Sequence, residues 1–135
     1  MPKIQANGIQ LYYEQHGWDK DAEVLVLSNG VLMSTASWTM QAPVLAKHYR
    51  VLLYDCRGMW QSDHTVGPYS MEQHADDLAA LLDALEIKQA HIAGISYGGE
   101  ISLTCSTLSS SAAMDCSSVA RPNKISARRA TFSGV

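Results

Sequence analysis

The segment Gly94–Gly99 constrains this chain of 135 residues more than any other part of it. It reads Gly-Ile-Ser-Tyr-Gly-Gly, and it joins a predicted buried strand to a predicted helix. So tight a turn from strand to helix has room only for small residues at Gly94 and Gly98. Ser96 is then expected in a strained conformation, with its hydroxyl exposed above the carboxyl end of the sheet. The pattern predicts a nucleophilic serine, with the Tyr97 amide at the helix N-terminus facing developing negative charge.

Two other interpretations of this segment are open. A glycine-rich turn without any catalytic role would need the same small residues, Gly94, Gly98 and Gly99. A dinucleotide-binding turn matches less well, because Ser96 stands where the Gly-x-Gly-x-x-Gly pattern requires its second glycine for the pyrophosphate to approach.

The order of the apolar segments predicts an α/β fold. Two alternating segments surround Asn7-Gly8, which is the strongest short signal for an antiparallel hairpin. A short helix is expected near residues 40–47, and a longer helix begins after Ser70, which forms a capping box with Gln73. Apolar strands that alternate with helices indicate a parallel sheet. The strands expected to be covered on both faces are the continuous apolar runs at 23–28, 50–54 and 91–95.

Residues 8–104 resemble the N-terminal half of the α/β-hydrolase fold, and within it they are most similar to 3-oxoadipate enol-lactonases and related esterases. The resemblance implies a truncated α/β-hydrolase fold, in which an N-terminal antiparallel hairpin precedes parallel strands with flanking helices. The stretches that carry it are Leu27-Ser28-Asn29-Gly30 with Trp38 eight residues on, Tyr54-Asp55-Cys56-Arg57-Gly58 with Gln61-Ser62, Gly67-Pro68-Tyr69-Ser70-Met71-Glu72-Gln73, and the segment around Ser96.

The same resemblance implies a reaction. Ser96 would attack the carbonyl of a small ester or lactone, and the acyl-enzyme would then be hydrolysed. Aligning Asn29-Gly30 with the His-Gly of the family makes the amide of Val31 one donor of the oxyanion hole, and the amide of Tyr97 the other. The implied partner is a small-molecule substrate, without a cofactor or a metal ion.

Three departures from the family pattern stand out. Trp60 and Glu86 occupy positions where the family usually has glycine, and an αL conformation at Glu86 would cost about 1 kcal/mol relative to glycine. The family's acid and histidine follow the nucleophile in the chain, yet no histidine follows Ser96 here. The earlier histidines are expected to be surface or packing residues, and His64 is the least implausible substitute base because its loop lies near the carboxyl end of the sheet.

Residues 105–135 differ in character from the rest of the chain. They are rich in serine and then basic, and they show no apolar periodicity, so we expect residues 1–104 to be the family-like portion and the remainder to be a disordered tail. A frameshift near Thr104 would explain the change. The strand at 91–95 would then have an open outer edge through which the chain could self-associate.

Composition and charge exclude other function classes. Residues 1–104 carry six basic and twelve acidic side chains, a net charge of −6, which repels nucleic acid. The apolar runs are too short to cross a membrane, and no apolar leader stands at the N-terminus, so we expect a cytoplasmic protein with its three cysteines reduced. Two functions compete: a serine hydrolase that is inactive as this truncated chain, and a non-catalytic fragment or association module.

Overall fold

The computed structural model describes residues 2–19, 21–108, 115–116, 119–121, 124–126 and 130–131, with side chains through residue 104. The chain begins with a hairpin of β1 (Lys3–Ala6) and β2 (Ile9–His16). Its turn has Asn7 at φ 49° and Gly8 at φ 80°, both in the left-handed region that this hairpin turn requires. The hairpin predicted around Asn7-Gly8 is therefore confirmed.

Three parallel strands form the centre of the sheet, as the sequence predicted. They are β3 (Val24–Ser28), β4 (Arg50–Tyr54) and β5 (His91–Ile95), in the spatial order β4-β3-β5, with β2 antiparallel on the outer side of β4. Because all three run in the same direction, the loops that follow them meet at one edge of the sheet. The sheet combines antiparallel and parallel strand pairs with flanking helices, which is the arrangement that the sequence predicted.

Both faces of the sheet are covered, which explains why the central strands are continuously apolar. Alternate side chains point to opposite faces. Val26 and Leu52 pack beneath α2 (Met71–Ala84) and α3 (Tyr97–Leu108). The other face packs on the 3-10 turn Thr35–Trp38 and on α1 (Ala42–Leu45), a shorter helix than the one expected at 40–47.

Helix α2 begins after Ser70, as predicted, and the Ser70 half of the capping box is present; the return bond from the Ser70 amide to the Gln73 side chain is not found in the described residues. The Ser70 Oγ accepts a hydrogen bond from the Gln73 amide at 3.0 Å. Two of its buried side chains are polar, His74 and Asp77, and the sequence analysis had not placed them on the packed face.

The expected open edge of β5 is not found in the residues that the structure describes. β6 (Asp115–Cys116) and β7 (Val119–Arg121) both lie parallel to β5, and β8 (Lys124–Ser126) and β9 (Ala130–Thr131) extend this side. The expectation was wrong because a backbone edge pairs through N–H and C=O groups, without any need for the apolar pattern that was missing from the sequence. The interpretation of 105–135 as a disordered tail falls mostly outside the described residues and stays a prediction.

Glu86 terminates α2 in the left-handed conformation, at φ 58°. The Ile87 amide donates to the Leu82 carbonyl at 2.9 Å, which is the long hydrogen bond of a Schellman motif. We expect Glu86→Gly to raise the free energy of unfolding by about 1 kcal/mol, because glycine adopts this φ without steric cost. Urea denaturation would measure it. Glu86→Ala is the matched control: it removes the charge but keeps the strain, and an equal gain there would contradict a backbone origin.

Candidate active site

Ser96 occupies the turn that joins β5 to α3, with φ at 52° and its side chain exposed. The glycines around it are required by close backbone approach. A Cβ at Gly94 would lie 2.6 Å from the amide nitrogen of Gly99, and a Cβ at Gly98 would lie 2.6 Å from the Asn29 carbonyl oxygen. The turn therefore has the strained, glycine-flanked geometry that the sequence predicted for the segment around Ser96.

The N-terminus of α3 follows Ser96 directly. The first hydrogen bond of this helix region runs from the Glu100 amide to the Ser96 carbonyl at 3.1 Å. Within the part of the chain that the structure describes, the amide of Tyr97 donates no hydrogen bond. This free N–H and the helix dipole both favour negative charge beside Ser96.

The loop after β3 lies against this turn. Ser28 pairs with Gly94 in the parallel ladder, so that Gly30 reaches the level of Ser96. A Cβ on Gly30 would lie 3.4 Å from the Ile95 carbonyl oxygen. The two loops that the sequence analysis assigned to the oxyanion hole are therefore neighbours at the carboxyl edge of the sheet.

Asn29 anchors this loop from below. Its side chain is fully buried, its Nδ2 donates to the Tyr54 carbonyl at 2.9 Å, and its Oδ1 accepts from the Trp38 indole at 2.6 Å. A buried amide with donors and acceptors satisfied holds a backbone more rigidly than apolar packing alone. From the sequence, Asn29 and Trp38 were related only through the family resemblance; the hydrogen bond between them is a finding of the structure.

Above this anchor the chain makes a four-residue turn, Gly30–Met33. The Met33 amide donates to the Gly30 carbonyl at 3.2 Å, and Leu32 in the centre has φ 61°. Val31 is more than half exposed, and no hydrogen bond from its amide is found among residues 2–19 and 21–104. The structure thus brings Ser96, the Val31 amide and the Tyr97 amide to the same edge of the sheet.

Asp55 and Arg57 follow β4 and are structural, as the sequence analysis expected. The buried Asp55 carboxylate accepts hydrogen bonds from the Thr35 amide at 3.0 Å and from the Gln61 amide at 3.2 Å. Burial raises the pKa of Asp55 above its usual value. Through these two hydrogen bonds, the Asp55 side chain links the loop that follows β3 to the loop that follows β4.

Arg57 forms a buried, bidentate ion pair with Asp77 of α2. Its Nε and Nη2 lie 2.9 and 2.8 Å from the two carboxylate oxygens. The hydrogen bonds to Asp77 raise the pKa of Arg57, so that the guanidinium stays charged. Asp77 also accepts from the Asn7 side chain at 2.8 Å, and the network fixes α2 against the hairpin turn.

None of the five histidines is hydrogen-bonded to Ser96 in the described residues. His16 pairs with Glu14 at 3.2 Å, and His91 pairs with Glu23 at 2.6 Å. His64, the least implausible substitute base, places Nε2 2.9 Å from the Trp60 carbonyl. His48 is exposed at the end of the α1 region.

His74 is the residue near the site that the sequence analysis undervalued. Its side chain is 1% exposed, and both ring nitrogens lack hydrogen-bond partners in the described structure. The ring packs edge-on against Tyr69 and Tyr97, with centroids 5.8 and 5.2 Å apart. Its spacing from Leu78 and Leu81, four and seven residues on, was the signal that could have placed it on the buried face.

We expect the free energy of unfolding to decrease as the pH falls below about 6.5, the usual histidine value, because of His74. Burial lowers the pKa of His74, Asp77 raises it and Arg57 lowers it, so that the folded chain binds this proton later than the unfolded chain does. Stability is therefore present above the unfolded pKa and is lost as the pH falls through the folded pKa. Urea denaturation from pH 8 to pH 5 would measure the slope. His74→Phe should flatten it, His48→Gln should leave it unchanged, and equal slopes in all three chains would refute the assignment.

Neither a metal centre nor a reactive thiol is found in the described residues. No group of three or more His, Cys, Asp or Glu side chains there could hold a metal ion. Cys56 is a buried free thiol, and burial raises its pKa to about 12, so that it stays protonated. Cys105 and Cys116 lie outside the residues whose side chains are described. No helix among the described residues is long and apolar enough to cross a membrane.

A family profile described as the α/β-hydrolase fold matches residues 23–109, which include the loop after β3, the loop after β4 and the Ser96 turn. The chain belongs to the α/β-hydrolase family. Among curated members, the chain is 36% identical over 103 residues to a putative carbamate hydrolase, RutD, from Azorhizobium caulinodans, covering 76% of this chain and 38% of that protein. It is 38% identical over 96 residues to 3-oxoadipate enol-lactonase 2 of Acinetobacter baylyi, covering 71% and 36%.

Solved structures of the α/β-hydrolase family agree with this assignment. The enol-lactonase from Burkholderia xenovorans LB400 superimposes with a TM-score of 0.77 at 36% identity, covering 79% of this chain and 42% of that one. The resemblance to enol-lactonases stated from the sequence is confirmed. The chain spans less than two fifths of the length of the curated relatives named above.

Proposed function

We propose that this hydrolase-family chain carries the nucleophile and the oxyanion hole of a serine hydrolase that acts on small esters or lactones. Ser96 attacks the carbonyl carbon, and the Val31 and Tyr97 amides stabilise the negative charge that develops on the oxygen. The observation that carries the proposal is the strained, exposed position of Ser96 on the β5–α3 turn, next to the loop after β3, with the Val31 and Tyr97 amides free of hydrogen bonds in the described residues. An enol-lactonase among the relatives supports the lactone class.

The 135-residue chain is proposed to be nearly inactive by itself. No histidine follows Ser96, and none of the five earlier histidines is hydrogen-bonded to it in the described structure. Without a base the hydroxyl is not activated, and removing a triad member costs on the order of 10⁴–10⁶ in kcat. Steady-state hydrolysis of p-nitrophenyl acetate would therefore be a poor test of the nucleophile.

We expect a fluorophosphonate to modify Ser96 selectively when imidazole is supplied as an external base. The Oγ–P bond forms, the P–F bond breaks, fluoride leaves, and the hydroxyl proton passes to imidazole. Intact mass followed by peptide mapping would measure the rate and the site. Ser96→Ala should abolish the label, and Ser37→Ala, which alters an exposed serine of the 3-10 turn, should keep it. Labels spread equally over several serines would overturn the proposal.

A second substrate class is favoured by the relatives described as carbamate hydrolases. Attack of Ser96 on a p-nitrophenyl carbamate would release p-nitrophenolate and leave a carbamoyl-serine, whose mass differs from that of an acetyl-serine. Comparing the two adducts at equal reagent concentrations separates the two classes. Faster carbamoylation than acetylation would favour the carbamate class.

The competing non-catalytic function is an association module. The sequence suggested this function because the outer edge of β5 was expected to be open. The structure speaks against it, since β6 and β7 occupy that edge. Light scattering after size exclusion distinguishes the two. A monomer of 14.7 kDa at all concentrations speaks against self-association, and a concentration-dependent oligomer without Ser96 labelling favours it.

A further inference from the structure

The turn Gly30–Met33 carries the proposed oxyanion donor Val31, and it is strained at its centre. Leu32 has φ 61°, a conformation in which a side chain costs about 1–2 kcal/mol relative to the right-handed region. One backbone hydrogen bond closes the turn, from the Met33 amide to the Gly30 carbonyl at 3.2 Å. Asn29 holds its base and the Gly30 amide donates to the Met33 Sδ at 3.2 Å, so a contact at the exposed tip, Val31-Leu32, would be a further restraint on the turn.

Trp60 provides that contact from the neighbouring loop. Its indole N–H donates to the Leu32 carbonyl at 3.0 Å, although the residue as a whole is 60% exposed. The backbone of Trp60 is also strained, at φ 46°, where the family usually has glycine. A strained non-glycine residue of this kind is a reason to ask what its side chain does.

The loop that carries Trp60 is rigid enough to act as a support. The Gly58 amide donates to the Asp63 carbonyl at 2.9 Å, and the Ser62 hydroxyl donates to the Asp55 carbonyl at 2.5 Å. The Asp55 carboxylate accepts from the Gln61 amide. These contacts connect the residues on either side of Trp60 to the end of β4. The backbone that carries the indole is therefore held in place.

We infer that Trp60 is a positioning residue of the active site, which holds the Val31 amide in place through the Leu32 carbonyl. The inference rests on the proposed function, because it assigns to Trp60 the ordering of one of the two oxyanion donors. Trp60 does not touch the reacting atoms in this scheme. It reduces the freedom of the turn, so that the Val31 N–H is already oriented when negative charge develops.

Trp60→Phe is the sharpest test, because it keeps an aromatic ring while it removes the N–H donor. Hydrogen exchange of the Met33 amide, followed by NMR, reports opening of the turn directly. We expect exchange about tenfold faster in Trp60→Phe, the size of effect that follows from losing one ordinary hydrogen bond. Trp18→Phe is the control, since Trp18 stacks on Arg50 at the opposite end of the sheet.

Labelling of Ser96 by the fluorophosphonate gives the chemical readout. Trp60→Phe should lower the limiting rate constant about tenfold and leave the reagent concentration at half-saturation unchanged, because orientation acts on the transition state. Trp60→Gly should lower it at least as much while the free energy of unfolding stays equal or rises, since glycine relieves the strained φ.

Each outcome decides the inference. Unchanged Met33 exchange and an unchanged rate constant in Trp60→Phe would overturn it, and so would losses in Trp60→Gly that merely follow a loss of stability. If Ser96 of the unaltered chain is not labelled at all, the proposed function fails, and with it the role of Trp60 in positioning an oxyanion donor. In that case faster Met33 exchange would still show that Trp60 orders the turn.

Discussion

Gly98→Ala is expected to lower the free energy of unfolding by at least about 3 kcal/mol, at the upper end of what over-packing usually costs. The added Cβ would lie 2.6 Å from the Asn29 carbonyl oxygen and nearer still to that of Ser28. Both neighbours are backbone atoms at the end of β3, so no flexible side chain can move aside. Relief would require α3 to shift away from the sheet, which also displaces Ser96.

Urea denaturation of Gly98→Ala and Gly8→Ala would separate the two reasons for which a glycine is needed. Gly8 has φ 80°, and a Cβ added there would meet nothing within 4 Å, so alanine faces only the conformational cost, about 1–2 kcal/mol. At Gly98, in contrast, the cost of alanine is steric, because the added Cβ would meet backbone atoms of β3. Equal losses in the two variants would show that the close approach of α3 to β3 is not limiting.

Asp77→Ala is expected to cost about 3–5 kcal/mol of unfolding free energy, because it leaves the Arg57 guanidinium buried without its partner. The variant also removes the acceptor of the Asn7 side chain in the hairpin turn. Contacts between α2, β1 and the loop after β4 are therefore lost together. The sequence offered no direct sign of this pair, since Asp76 and Asp77 are adjacent and chemically identical.

Asp76→Ala is the matched control for Asp77→Ala, because Asp76 is exposed on the same turn of α2. A surface substitution of this kind usually changes the unfolding free energy by less than about 0.5 kcal/mol. The double variant Arg57→Met with Asp77→Leu should recover most of the loss, since an apolar pair needs no desolvated charge. If the double variant is as unstable as Asp77→Ala, the cost arises from packing, and the unpaired charge is not its source.

Local sequence signals predicted the elements around the site well, for physical reasons that act over a few residues. The Asn7-Gly8 turn requires positive φ at both positions, and the Ser70 cap satisfies a helix amide three residues away. The need for Gly94 follows from the strand–helix turn itself, because a Cβ there would meet the backbone of Gly98 and Gly99. Each of these constraints is complete within a short window of sequence, so the pattern alone was sufficient.

The side-chain network around the site was decided by contacts between residues distant in the chain. The indole of Trp60 reaches the Leu32 carbonyl across 28 positions, and Arg57 meets Asp77 across 20. The two rings that pack on His74 come from outside its own helix, since Tyr69 precedes α2 and Tyr97 belongs to α3. No local pattern records which neighbour a side chain will meet when elements pack.

The sequence by itself determined the class of fold, the nucleophile candidate Ser96 and the loops after β3 and β5, because the alternation of strands and helices along the chain and the glycine-flanked turn follow from local residue types. The tertiary structure alone decided how those loops are held, through Asn29, Asp55 and Trp60, because the packing of β3 against β4 and β5 places their carboxyl ends together. It also decided that β6 and β7 lie beside β5. Pairing of backbone edges depends on proximity in space, and the side-chain pattern of residues 105–135 carries little information about it.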